Sequence, residues 1–218
     1  MKENNKLQII LGILLTFTLI STAVTIVLNA RFIYVRDMQT VNLAASTDMA
    51  EETILAQYDE LISYNRLGGS SELAFPDLPS SESGLYHFKE VRNIFLFFQW
   101  GMLCGIPLCC IMIAYLRRVT VKKYLKYAAC ISLLLPVLLG ILAALFWEQF
   151  FVAFHKVFFR NDYWLFDAVT DPIILLLPDT YFMHCAFYII GLVIVGGIIC
   201  MGGYFLNKKK NHSKKISK

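Results

Sequence analysis

The side chains best suited to moving protons near neutral pH are the four histidines, since imidazole ordinarily titrates between pH 5 and 8. His212 lies in a lysine-rich tail, a solvated position with nothing beside it to act on. His184 precedes Cys185, which invites a thiol–imidazole reading. Adjacent residues on a helix point in different directions, so that pair does not form a nucleophile and its base. His87 and His155 differ in setting. His87 shares a helical face with Val91 and Ile94, and His155 falls on a predicted face with Phe151, Phe158 and Phe159. A lone histidine in such a stripe reads as a polar contact at a membrane surface. Two of them, on separate segments facing the same side of a small membrane protein, favour proton transfer at an interface.

Other chemistries leave no trace. There is no G-x-S-x-G elbow and no H-E-x-x-H. Five residues after His87 and His155 stand Arg92 and Arg160, not acids. A metal held by His87, His155 and Asp167 or Asp171 has no supporting ligand spacing, so neither metal nor cofactor is expected. Ionisable groups at membrane depth are functional candidates by default, which adds Arg92 and Asp171; each alone also suits a structural ion pair or a phosphate contact. Cys104, Cys109, Cys110, Cys130 and Cys200 sit in apolar runs, where cysteine acts as a small hydrophobe. Cys185 lacks an obvious partner, and no disulfide is expected.

The elements that must position these residues are membrane helices. The 218 residues are 57% hydrophobic and 17% charged, with a positive mean hydropathy, more apolar than a soluble domain of this size. A bilayer core of ~30 Å takes about 20 apolar residues in a helix. Four runs meet that length, at about residues 7–28, 94–116, 127–147 and 183–206. The first is too long for a signal-peptide core and is read as a retained anchor. The net charge of +4 sits largely in lysine clusters beside the apolar runs, which argues against a nucleic-acid partner.

Those clusters also orient the chain, because basic residues near span ends stay inside. Arg117, Arg118, Lys122, Lys123 and Lys126 follow the second run, and Lys208, Lys209, Lys210, Lys214, Lys215 and Lys218 follow the fourth. The other two connections, 29–93 and 148–182, are acidic on balance. The reading is an all-α integral membrane protein: one membrane domain over 1–218, a four-helix bundle with both termini cytoplasmic and two extracytoplasmic segments containing amphipathic helices. In the first segment, TDMAEETILAQYDELISYN places Ile54, Leu55, Tyr58, Leu61 and Ile62 on one face, with Asp48 and Glu51 spaced as a capping box. The glycine-, serine- and proline-rich stretch 68–84 reads as a mobile loop, followed by helix from YHFKEVRNIF onward. In the second segment, Tyr163, Trp164 and Phe166 suit headgroup depth. The run between Pro172 and Pro178 is too short to span and reads as re-entrant or interfacial.

Two patterns carry a resemblance. The H-x-x-x-V-R of His87 to Arg92 and the F-H-x-x-F-F-x-N-D-x-W-x-F-D-x-x-x-D of Phe154 to Asp171 resemble the lipoprotein intramolecular transacylase family of Gram-positive bacteria. The LLLPDTYF that follows and the four-span layout fit as well, so the resemblance covers nearly the whole chain. It implies an acyltransferase of the bacterial cytoplasmic membrane, with its site on the extracytoplasmic side. The substrate would be a lipoprotein whose N-terminal cysteine carries a diacylglyceryl thioether and a free amine. The sn-2 acyl chain would move to that amine, giving the N-acyl S-monoacylglyceryl lyso form. His87 and His155 would be the acid and base, in either order. Tyr64, Arg92 and Asn161 are assigned to carbonyl or oxyanion contacts, Trp164 to substrate contact and Asp171 to orienting a histidine. Two rival readings stand beside this one. An acyltransferase or lipase drawing on bulk phospholipid would need a nucleophile that no motif supplies, and a non-enzymatic membrane sensor or assembly factor would tolerate loss of both histidines.

Overall fold

A computed structural model describes residues 5–116 and 121–216, with side chains to residue 213. Arg117, Arg118, Lys214, Lys215 and Lys218, used above for orientation, lie outside the described side chains. Among the described residues eight α-helices follow in order: α1 Asn5–Leu28, α2 Arg31–Thr40, α3 Leu43–Thr47, α4 Glu51–Asn65, α5 Glu82–Tyr115, α6 Lys123–Leu145, α7 Trp147–Phe158 and α8 Asp179–Ile216. A 3-10 turn at Pro172–Leu176 precedes α8, and no strand occurs among the described residues. Helices α1, α5, α6 and α8 are each long and apolar enough to cross a bilayer.

The chain divides into two compact units, and every spanning helix contributes to both. The first draws on Met1–Val24, Phe98–Ile141 and Tyr188–Lys218. Here α1 is approached closely by its neighbours at small residues, as membrane helices require in the absence of a hydrophobic driving force. A Cβ on Gly101 would sit 2.8 Å from the Phe17 ring, and one on Gly12 would sit 2.7 Å from Tyr127 Cβ. Thr16 Oγ1 donates to the Gly12 carbonyl at 3.1 Å, and Gln8 Oε1 accepts the Tyr124 N–H at 3.3 Å. Outward positions such as Leu134, Leu138, Ile198 and Phe205 are exposed. In a bilayer those faces meet acyl chains.

The second unit comprises Thr25–Phe97 and Leu142–Phe187 and holds both segments singled out above. Its core uses the amphipathic face of α4: Ile54, Tyr58, Leu61 and Ile62 are buried. The Tyr34 and Tyr58 rings stack at 3.8 Å, with Tyr181 edge-on to both. The Tyr34 hydroxyl donates to the Leu176 carbonyl at 2.9 Å, so the short proline-flanked run is covered by protein, which is what irregular backbone at membrane depth requires. The expected capping box does not form. Helix α4 begins after Ala50 without a side-chain cap, and Asp48 adopts a left-handed φ of 54° that takes it out of reach. The loop expected to be mobile is pinned: Phe75 is buried edge-on to Phe88, and Gln57 Nε2 donates to Asp77 at 2.7 Å.

Candidate active site

Helix α5 starts four residues before the YHFKEVRNIF segment because Ser81 caps it. Its hydroxyl oxygen accepts the Gly84 N–H at 3.0 Å, a standard way to satisfy an orphan donor at a helix start. The Ser81 N–H and hydroxyl both donate to the Asp171 carboxylate, at 2.8 and 2.7 Å, and Thr170 Oγ1 adds a third bond at 2.9 Å. Asp171 is only 3% exposed. Gly84 is required for this approach: a Cβ there would collide with Asp171 Oδ1, lie 2.9 Å from its Cγ and lie 3.1 Å from the Phe166 ring. Asp171 therefore anchors the turn that leads to His87 and does not orient an imidazole, a correction to the role assigned from sequence. Ninety residues separate it from Ser81, and no local pattern announces the bond.

One turn further, His87 is 4% exposed. Phe159 meets its ring edge-on at 4.6 Å and Phe166 at 5.5 Å. Helix α7 supplies His155, 8% exposed, whose ring lies 4.1 Å from Phe151 and 4.7 Å from Trp164. Phe158, expected to share its face, is 51% exposed. The helix ends there, Phe159 turns extended, and its N–H donates to the His155 carbonyl at 2.8 Å. That break folds Phe159 back against both imidazoles, whose centroids are 5.9 Å apart.

His155 Nδ1 lies 2.8 Å from the Phe151 carbonyl. A carbonyl can only accept, so Nδ1 carries the hydrogen and the neutral ring keeps its lone pair on Nε2. Burial pushes His87 down to about 4, and nearby His155 adds to the effect. Burial also lowers His155, opposed by its bond to Phe151. Both rings are thus neutral at pH 7. His87 Nδ1, Trp164 Nε1 and Arg92 Nε are buried with no hydrogen-bond partner among the described residues. Each such group costs roughly 1–3 kcal/mol if left unpaired. A substrate rich in ester and amide oxygens is the kind of molecule that satisfies such donors.

The remaining assigned residues divide. Arg92 lies over the Tyr64 ring at 4.6 Å, which leaves its in-plane N–H groups for other acceptors. Asn161 is already committed: Nδ2 donates to both Glu90 oxygens, at 3.1 and 3.2 Å, and Oδ1 accepts the Tyr163 N–H at 3.1 Å. It braces the chain after α7 against α5. Glu90 escaped the sequence reading, although it stands one turn beyond His87. His184 pairs with Asp37, Nδ1 donating to Oδ1 at 2.8 Å, and all six cysteines are free. No group of three or more potential metal ligands occurs among the described residues.

These features define a helical multi-pass membrane protein with two buried, neutral imidazoles 5.9 Å apart, their planes tilted by 33°, in an aromatic box. The profile of the family described as lipoprotein intramolecular transacylase Lit matches residues 9–182, and the chain belongs to that family. It is accordingly an acyltransferase, which removes the sensor reading. The structure is similar to that of the membrane-integral lipoprotein intramolecular transacylase Lit from Bacillus cereus. The TM-score is 0.90 at 31% identity, covering 96% of this chain and 97% of that one. Two variants of the Bacillus cereus protein, with histidine replaced by arginine or by alanine, match with TM-scores of 0.83, also at 31% identity. The alignments cover 98% and 96% of this chain, and 94% and 95% of theirs. No curated protein matches the chain in sequence.

Proposed function

We propose that this protein converts diacylglyceryl lipoproteins to the lyso form by moving the sn-2 acyl chain to the α-amine of the same N-terminal cysteine. The carrying observation is the imidazole pair, with centroids 5.9 Å apart and His155 Nδ1 held by the Phe151 carbonyl. The amine nitrogen attacks the ester carbonyl while His155 Nε2 takes an amine proton. The carbon–oxygen bond to glycerol then breaks, and that proton passes by way of His87 to the departing oxygen. A C–N bond forms, a C–O bond breaks, and one proton moves from nitrogen to oxygen. No covalent acyl-enzyme is needed, because donor and acceptor are already on one molecule and correct positioning alone is worth a very large effective concentration. With its pKa near 4, His87 is neutral at rest; it carries the proton only in transit, taking it from His155 and releasing it at once to the alkoxide. Arg92 on Tyr64 and the Trp164 indole N–H supply hydrogen bonds to ester or peptide carbonyls.

The site belongs on the outer face of the bacterial cell membrane, with both termini inside, since lysine clusters such as Lys122, Lys123 and Lys126 mark the inner connections. Acyl chains then remain among the membrane lipids while the peptide stays in water. Neither metal nor cofactor takes part in this scheme. The test is a synthetic diacylglyceryl lipopeptide with a deuterated sn-2 chain, incubated with purified protein in unlabelled phospholipid. The label should appear wholly on the amine. Unlabelled acyl groups on the amine would identify a bulk-lipid donor and overturn the intramolecular reading.

A further inference from the structure

At the start of α5, just ahead of His87 in the chain, lies an open groove of about 720 Å³, lined by Glu82, Ser83, Tyr86, Asn161 and Tyr163. We infer that this groove is a binding site for the polypeptide that follows the lipidated cysteine, a subsite that sets lipoprotein preference. The inference rests on the transacylase reading and extends it from the reacting atoms to the chain attached to them.

Three observations carry it. Position comes first. Ser83 and Tyr86 stand four residues and one residue before His87 on α5, and Asn161 stands six after His155. The groove is thus lined from the same first turns of α5 that carry His87. In the substrate, the amine that attacks and the carbonyl that begins the polypeptide share one α-carbon. At ~3.3–3.6 Å per extended residue, the second to fourth residues lie no more than about 11 Å from the cysteine, within reach of the first turns of α5.

The second observation is the lining. Tyr86 and Tyr163 meet edge-on at 5.5 Å and remain 51% and 46% exposed. Tyrosine pairs of this kind offer a large, rigid contact surface with a hydroxyl at the tip, at low cost in side-chain entropy. The floor is rigid as well, since Asn161 is bonded to Glu90 and to the Tyr163 backbone. The third is charge. Among the described residues, Glu82 is the only charged one that lines the groove. A phospholipid headgroup brings a phosphate, which such a wall repels. A peptide backbone, neutral or with a basic side chain, fits it.

The measurement compares two substrates in detergent micelles: a diacylglyceryl cysteine carrying six residues, and the same lipid on cysteine amide. The wild-type kcat/KM should favour the longer substrate by about tenfold, a ratio corresponding to ~1.4 kcal/mol. In Tyr86→Ala with Tyr163→Ala that ratio should collapse toward one, mainly through KM. Glu82→Gln should erase any preference for lysine over glutamate at the third residue. A wild-type ratio of one, or a ratio untouched by the double substitution, overturns the subsite. So does an effect of the substitution that follows anionic against zwitterionic vesicles instead of peptide length, which would make the groove a headgroup site. Failure of wild-type protein on both substrates refutes the transacylase reading itself.

Discussion

Replacing Gly84 by alanine tests how His87 is positioned without touching either imidazole. The added methyl would be driven into the Asp171 carboxylate, 2.9 Å from its Cγ, and would press on the Phe166 ring at 3.1 Å. Both neighbours are held: Asp171 by three hydrogen bonds, Phe166 by its packing on His87 and Phe88. Overpacking of this kind costs ~1–3 kcal/mol. A displaced carboxylate also weakens its bonds to Ser81, each worth roughly 1.5–3 kcal/mol when charge-assisted. Partial relaxation leaves a net loss of about 2–4 kcal/mol, concentrated at the start of α5. A shift of about 1 Å in His87 lowers transfer by roughly 100-fold. The assay is single-turnover transfer together with thermal unfolding in micelles. Gly191→Ala serves as the control, because a Cβ there meets nothing within 4 Å. Should Gly84→Ala match Gly191→Ala in both readouts, the proposed anchoring of His87 through Asp171 is wrong.

Three further outcomes follow from the same geometry. Because burial lowers both imidazoles, they stay neutral and basic below the ordinary value of about 6.5. The pH profile of kcat/KM should then fall tenfold per unit below about 7.7, as the substrate amine protonates, and steepen only below pH 6.5. A histidine limb above that point contradicts the burial argument. Removing His184 leaves Asp37, 2% exposed, as a carboxylate without its partner. Breaking a buried pair costs ~3–5 kcal/mol, and partial exposure of His184 reduces this to about 1–3 kcal/mol. Adding Asp37→Asn to His184→Ala should recover part of the melting temperature; a strictly additive loss argues against coupling. Glu90→Ala and Asn161→Ala should each slow transfer about tenfold, by roughly 1–2 kcal/mol, and should not add when combined. Glu90→Gln, which keeps an acceptor oxygen, should lie between them and wild type.

The spans were legible because about 20 apolar residues in sequence admit few other readings. The runs read at 7–28 and 127–147 lie close to α1 and α6, whereas α5 and α8 extend well past their apolar stretches. Those polar extensions depend on long-range partners. Ser81 starts α5 because Asp171 is there to receive it, and His184 near the start of α8 is tied to Asp37, 147 residues away. Helical periodicity found the buried face of α4, but α2 and α3 passed unseen, since their sequences carry no strong apolar stripe. His87 and His155 stood out by residue type and setting. Their box did not: Phe159 reaches it only because α7 ends at Phe158, a break that helical spacing alone does not foretell. Asn161 and Asp171 were singled out by residue type and place, but the partners that hold them, Glu90 and Ser81, are set by tertiary packing.

The most direct test of the central claim is mass spectrometry of the N-terminal lipopeptide of a model lipoprotein. The protein would be expressed in a host that leaves lipoproteins in the diacylglyceryl form, alongside His87→Ala and His155→Ala. The account predicts an unchanged total acyl mass with one chain relocated from glycerol to the amine, and no relocation with either variant. An unaltered lipopeptide with wild-type protein, or relocation that survives loss of both histidines, would contradict it.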